Sequence, residues 1–328
     1  QEFVLDQGVH DLVFLEQAGE EEKQRFASMS PKQLALAKRR LTEEVWQKSI
    51  IHPREDRALN GIFASLMASL AATTAQPHQA LNLNPKELAN LENSPHAVAK
   101  LFRYAVQTLG LAQEPELYVR EGSREGIQTA NVAERGMLTA AILVGEPYVQ
   151  KKPEREVAFD LAKKLSFLRP ERYVYYALPT LPKLKAALAA TFRATGVTID
   201  GENGASEPAN GKFGGSANGE IERLVTHLKK TVPGAVLEQV GALARKITMK
   251  DGLAVMESWV TATDLTANRV GLILANDLEV AARMIATEQG VMSTLPAKDR
   301  LRDLLVYAVS DEYFAVRKYL GLELAGGA

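Results

Sequence analysis

The stretch Arg155–Arg169, REVAFDLAKKLSFLR, constrains the fold of this chain more than any other. Val157, Ala158, Leu161, Leu165 and Leu168 recur at helical spacing and mark one buried face. A second face carries Glu156, Asp160, Lys163 and Phe167. Directly upstream, residues 116–121, 126–132 and 137–144 are β-rich and separated by glycine-containing turns. They predict a small sheet of about three strands. The organising unit is therefore a run of strands followed by an amphipathic helix.

Helical patterns fill most of the remainder. Ser30-Pro31 reads as an N-cap followed by proline at the first helical position, opening a helix that runs to about Ile51 and stops at Pro53. Further helices are expected over 57–74, 85–91 and 94–109, the last capped by Ser94 and stopped by Gly110. After Pro170 they continue over 171–177, 183–194, 220–230, 234–248, 251–274, 277–288, 298–309 and 311–320. Gly201–Gly219 holds six glycines and three asparagines in nineteen residues and reads as a flexible loop between helices. The fold class is α+β and predominantly α-helical, with helices around the small sheet. An N-terminal helical segment, 1–95, precedes the sheet-bearing domain, 96–328.

The bulk properties exclude several functions. A net charge of −1 creates no field that would gather nucleic acid. The basic runs Lys38-Arg39-Arg40 and Lys229-Lys230 lack interleaved aromatics. With no cysteine, disulfides, thiolate nucleophiles and cysteine-based zinc sites are ruled out. No run reaches the roughly 18 apolar residues of a membrane span; the longest, 61–72, is broken by Ser65 and Ser69. A cytoplasmic location is favoured, although a cysteine-free periplasmic protein also fits. The opening Gln1 suggests a piece of a longer polypeptide.

Five histidines are present, His10, His52, His78, His96 and His227, and no two are three or four residues apart. A zinc-binding pair on one helix is therefore impossible. Nucleophile-elbow, phosphate-loop and dinucleotide-binding motifs are also missing from the sequence.

Two distant stretches resemble the HtpX/CAAX-prenyl endopeptidase family of gluzincin zinc metallopeptidases, a bacterial-type comparison. One is the strand run leading into Leu161-Ala162-Lys163-Lys164-Leu165-Ser166-Phe167. The other is Asp264-Leu265-Thr266-Ala267-Asn268-Arg269-Val270-Gly271-Leu272. The family carries leucine-alanine-histidine-glutamate-leucine-x-histidine on the first helix. Glutamate-x-x-x-aspartate follows on a later one. By this resemblance Lys163 and Phe167 stand at the two zinc-binding histidines and Lys164 at the general-base glutamate. Asp264 stands at the third ligand and Asn268 at the aspartate behind it.

An ammonium and a phenyl ring offer zinc no lone pairs at neutral pH. Without the ion no water is acidified and no carbonyl polarised. The resemblance thus implies a pseudopeptidase with no metal, no cofactor and no catalytic residues. Lys163 is expected to pair with Asp264, while Phe167 fills the remaining space. The competing expectation is that Lys163 and Lys164 form a solvated face with Asp160, and that Asp264 and Asn268 form an exposed stripe.

The function expected is non-catalytic: a scaffold that binds a protein or peptide as an added strand beside the sheet. One rival is a helical-repeat adaptor, which predicts no antiparallel sheet near 117–144. The other is a hydrolase whose site is assembled from Asp, Glu and Lys residues.

Overall fold

The strands β1 (Glu116–Arg120), β2 (Ile127–Glu134) and β3 (Met137–Gly145) form one sheet in the order β1-β3-β2. The structure is a computed structural model and describes residues 19–21, 34–198, 215–248 and 252–322. β2 and β3 are antiparallel, with Ile127 opposite Val144 and Glu134 opposite Met137. Arg135 and Gly136 close this hairpin at φ of 51° and 81°, the positive pair that a type I′ turn needs. β1 lies parallel to β3, with Glu116 beside Ala141. Alternation then sorts the side chains. Leu117, Val119, Ile142 and Val144 face one core, while Tyr118, Val132, Ala141 and Leu143 face the other side under Leu83.

Both sheet edges are partly covered. On β1, the Ala89 N–H donates to the Leu117 carbonyl at 2.8 Å. On β2, Gln76 brackets the end of the strand. Its N–H donates to Asn131 O at 3.1 Å, and its carbonyl accepts from Ala133 N at 2.9 Å. Backbone groups alternate in direction along a strand, so Ile127 and Thr129 point the same way as Asn131 and Ala133. Among the described residues no partner reaches the outward N–H and C=O groups of Ile127 and Thr129. Within the described residues this short edge is open.

The segment carrying Gln76 is fastened by His78. Its Nε2 lies 2.8 Å from Glu116 and its Nδ1 3.2 Å from Glu134, while the Tyr118 hydroxyl donates to Glu116 at 3.1 Å. Ionised carboxylates only accept, so both contacts call for an imidazolium. Partial burial pulls the His78 pKa down, but the two carboxylates outweigh it and the net shift is upward. A raised folded value gives stability that is complete below the unfolded value of about 6.5 and lost as pH rises through the folded one. Replacing His78 with Gln should therefore lower the urea midpoint on the acidic side of that window. Above it the two proteins should unfold at the same urea concentration.

The helices are α1 (Arg57–Ala72), α2 (Ala97–Leu109), α3 (Glu154–Ser166), α4 (Val174–Ala177), α5 (Leu181–Ala194) and α6 (Gly215–Thr231), followed by α7 (Gly234–Thr248), α8 (Val255–Ala275), α9 (Leu278–Thr287), α10 (Ala297–Ala308) and α11 (Asp311–Leu320). The expected mostly helical α+β class is the one observed.

Several boundaries differ from expectation. Residues 34–42 are not helical, and only Glu43–Ile50 winds, ending as a π turn. The reason is that Lys38 N–H donates to Leu320 O and Leu41 N–H to Thr108 O, bonds a helix would have kept to itself. The expected start of that helix at Ser30-Pro31 lies outside the described residues. Residues 85–91 shrink to one 3₁₀ turn, Pro85–Glu87, because Ala89 joins the sheet edge. Ser94 does not cap α2; its hydroxyl accepts from His96 N, and the helix begins at Ala97. The last five residues of the expected loop, Gly215–Gly219, belong to α6. Packing of Ile221, Leu224, Val225 and Leu228 overrides the weak local propensity there. Residues 201–214 lie outside the described set.

Among the described residues, two large apolar cores stand beside the small cluster under Leu83, and one helix runs through both large ones. The first joins Leu41, Trp46 and Ile50 to the sheet, α2, α3 and α9–α11. The second joins α1 to α4–α7. α8 puts Met256, Trp259 and Val260 into the second core and Val270, Leu272, Ile273 and Leu274 into the first. Residues from both sides of position 95 build each core. Between the two apolar ends of α8 lies a fully buried polar stretch that includes Thr263, Asp264, Thr266 and Asn268.

Candidate functional site

α3 and α8 cross closely because Gly271 has no side chain. A Cβ there would stand 2.6 Å from Cε2 of Phe159. The crossing brings the last turn of α3 against the polar stretch of α8. Lys163 is only 2% exposed. Its Nζ donates to Asn268 Oδ1 and Glu288 Oε2, both at 2.7 Å, and lies 3.0 Å from Asp264 Oδ1. Two of the ammonium's three N–H donors are hydrogen-bonded, and Asp264 stands beside it in ionic contact.

Arg300 closes the group. Its NH1 is 2.5 Å from Glu288 Oε2 and 3.6 Å from Asp264 Oδ2. Lys163 and Arg300 balance Asp264 and Glu288, so the cluster is neutral. Burial pushes the Glu288 pKa up, but the two cations outweigh it and hold the carboxyl below its usual range. Neither oxygen of Asp264 has an aligned hydrogen bond, so this carboxylate is held by ionic contact.

Asn268, like Asp264, is completely buried and not part of an exposed stripe. Lys163 does not share a solvated face with Asp160, whose carboxylate receives the Tyr148 hydroxyl and lies 3.4 Å from Lys152. Phe167 is buried one turn after Lys163 and stacks on Tyr175 at 4.2 Å. The Tyr175 hydroxyl accepts from Met292 N at 3.1 Å, and burial together with nearby Asp264 pushes its pKa up.

Lys164 behaves differently from its neighbour. It is half-buried, and its backbone carbonyl accepts from the Tyr176 hydroxyl at 2.8 Å. Among the described residues its ammonium has neither an ion pair nor a hydrogen bond. Burial first, and the adjacent Lys163 second, depress its pKa.

No protein-family model, no curated protein and no solved structure matches the chain. The reading of the site therefore rests on its own geometry. Lys163, Asp264 and Asn268, proposed from two stretches of sequence, converge; Lys164 and Phe167 flank them on α3. Glu288 and Arg300 were not foreseen. Neither has a motif spacing to the other members, and each arrives from a different part of the helical layer. Among the described residues no group of three or more His, Asp or Glu side chains is placed to hold a metal ion. Lys163, hydrogen-bonded to Asn268 and Glu288 and in ionic contact with Asp264, is a structural cation and not a free amine.

A second buried polar group adjoins this one along α8. Glu55 and Arg172 pair at 3.1 Å with both side chains fully buried, and Thr266 donates to Glu55. Asn60 donates to Glu55 at 3.0 Å.

Proposed function

We propose that the protein is a non-catalytic binding module, a pseudopeptidase-like scaffold that takes an extended peptide segment along the open edge of β2. The observation that carries this reading is the internal neutralisation of the cluster. Where a hydrolytic site would keep an open position for water, Lys163 places an ammonium hydrogen-bonded to Asn268 and Glu288 and in ionic contact with Asp264. The likeness of α3 and α8 to a zinc-peptidase pair remains part of the proposal. It accounts for a buried charge cluster centred on the helix that packs against β2.

The binding half of the reading rests on the edge itself. Ile127 and Thr129 offer two N–H and two C=O groups outward, and α3 and α4 both pack near this strand. An added strand would pair with those groups. The antiparallel β2–β3 pair also counts against the helical-repeat alternative.

Thr129→Pro tests the groove cleanly. The Thr129 N–H points away from β3, so proline removes a donor to the ligand without breaking a ladder bond. Peptides that bind the wild-type chain are expected to lose at least tenfold in affinity, with the thermal unfolding of the protein nearly unchanged. Retention of full affinity by a folded Thr129→Pro protein would remove the β2 edge from consideration.

A further inference from the structure

We propose that His78 is a proton-operated clasp that sets how much of the β2 edge stands open. The inference rests on the edge-binding reading above and adds its regulation. Residues 73–89 run as a strap from the end of α1 across the sheet face that lies under Leu83. At the β2 edge Gln76 takes the backbone positions next after Thr129, donating to Asn131 O and accepting from Ala133 N. Across the face, Leu83 packs with Tyr118, Val132, Ala141 and Leu143. At the β1 edge Arg120 lies 3.0 Å from Glu87 and donates to Asn82 O at 2.7 Å, and the Ala89 N–H reaches Leu117 O. The root of the strap is tied separately, since Asn131 Nδ2 donates to Ala71 O at 2.8 Å and to Thr74 Oγ1 at 3.1 Å.

His78 is the one histidine among these fasteners, and it stands two residues beyond Gln76. Its ring links the two outer strands, with Nε2 2.8 Å from Glu116 on β1 and Nδ1 3.2 Å from Glu134 on β2. The other charged or titratable groups around it act through these two carboxylates. The Tyr118 hydroxyl donates to Glu116, Arg135 acts on Glu134, and Glu87 beside Tyr118 is paired with Arg120. A neutral ring carries one N–H, so losing the proton turns one of the two contacts into a lone pair facing an anion. Partial burial disfavours the charged ring, but the two carboxylates outweigh it and hold the proton above the ordinary range. The closed strap thus binds this proton more tightly than an opened one, and opening becomes easier as pH rises through the folded value. With Gln76 released, the outward groups of Asn131 and Ala133 join those of Ile127 and Thr129, and the open edge doubles in length.

Amide hydrogen exchange on the whole chain, read by nuclear magnetic resonance on both sides of the His78 titration, tests the clasp. The ring-proton shifts of His78 give its midpoint independently. Once the intrinsic base-catalysed rate is divided out, protection of the Gln76 and Ala133 amides is expected to fall about tenfold through that midpoint, the scale of one hydrogen bond to a charged group. His78→Gln should show the low protection at every pH. Glu116→Gln, which keeps an acceptor but removes one charge, should move the midpoint down and carry the exchange step with it. Amides of α8 that stay protected in each variant verify that the fold is intact.

Flat protection of Gln76 and Ala133 across the His78 midpoint overturns the clasp, and so does a step that persists in His78→Gln. Binding is read apart from this, with peptides selected from a displayed random library on the alkaline side of the step. They should bind about tenfold more weakly on the acidic side, and equally on both sides in His78→Gln. Peptides sensitive to Thr129→Pro whose affinity ignores the step overturn the regulatory role of His78 and spare the edge reading. Peptides indifferent to Thr129→Pro, or a library without binders, defeat the edge reading, while the exchange result alone decides the clasp.

Discussion

Lys163→Met is expected to destabilise the protein by about 3–5 kcal/mol, the cost of removing one member of a buried ion cluster. The magnitude follows from what is left behind. Without the ammonium, Asp264 and Glu288 share the single charge of Arg300. Asp264 keeps only the 3.6 Å contact to that guanidinium. Asn268 Oδ1 loses its donor, and no water can replace it at a completely buried position without new space. Urea unfolding measures the loss as a shift in midpoint at unchanged slope.

The double variant Lys163→Met, Asp264→Leu separates charge from packing. It leaves the Glu288–Arg300 pair neutral and fills the core with apolar volume, so most of the stability should return. A single variant that costs no more than about 1 kcal/mol, as an ordinary substitution does, would show that the four charges are not energetically coupled.

The meeting of Lys163 with Asp264 and Asn268 could be anticipated from sequence because each stretch is local. One turn of α3 and one of α8 supply all three residues, and helical spacing sets which of them share a face. The other half of the cluster was hidden. Glu288 caps the C-terminus of α9 and Arg300 lies within α10; both arrive through the packing of helices on α8, which no periodicity encodes.

The same physics explains the misread helix at 34–42. Leu34 and Leu41 fit a helical period, but the backbone N–H groups of Lys38 and Leu41 find carbonyls near residues 320 and 108. Those partners are invisible at short range. The polar run Thr263–Asn268 carried a signal of its own: a helix that is apolar at both ends and polar in the middle is reaching across two cores. In such a helix the polar residues must satisfy one another or residues from elsewhere.

Glu55→Ala is the second large expected effect, again about 3–5 kcal/mol, and it acts at the other end of the same buried polar layer. Arg172 is completely buried and pairs with Glu55 at 3.1 Å; its remaining carboxylate neighbour, Glu171, is 3.6 Å away. Glu171 is already engaged by Arg169 at 2.6 Å, so it is poorly placed to neutralise a second guanidinium. Deleting Glu55 also strips Thr266 and Asn60 of their acceptor, and Asn60 in turn holds the indole N–H of Trp259 at 2.7 Å. The damage should therefore spread into the second core through Trp259, one of its largest buried side chains. Glu55→Gln keeps the shape and one acceptor oxygen but leaves Arg172 unneutralised, so its cost relative to alanine measures how much of the loss is the charge itself. Tryptophan fluorescence during urea unfolding reads both variants, since Trp46 lies against Arg172 and Trp259 lies at the end of the Asn60 link. If Glu55→Gln proves as costly as Glu55→Ala, the charge governs. If both are nearly neutral, Arg172 reaches solvent and α8 does not depend on its polar middle.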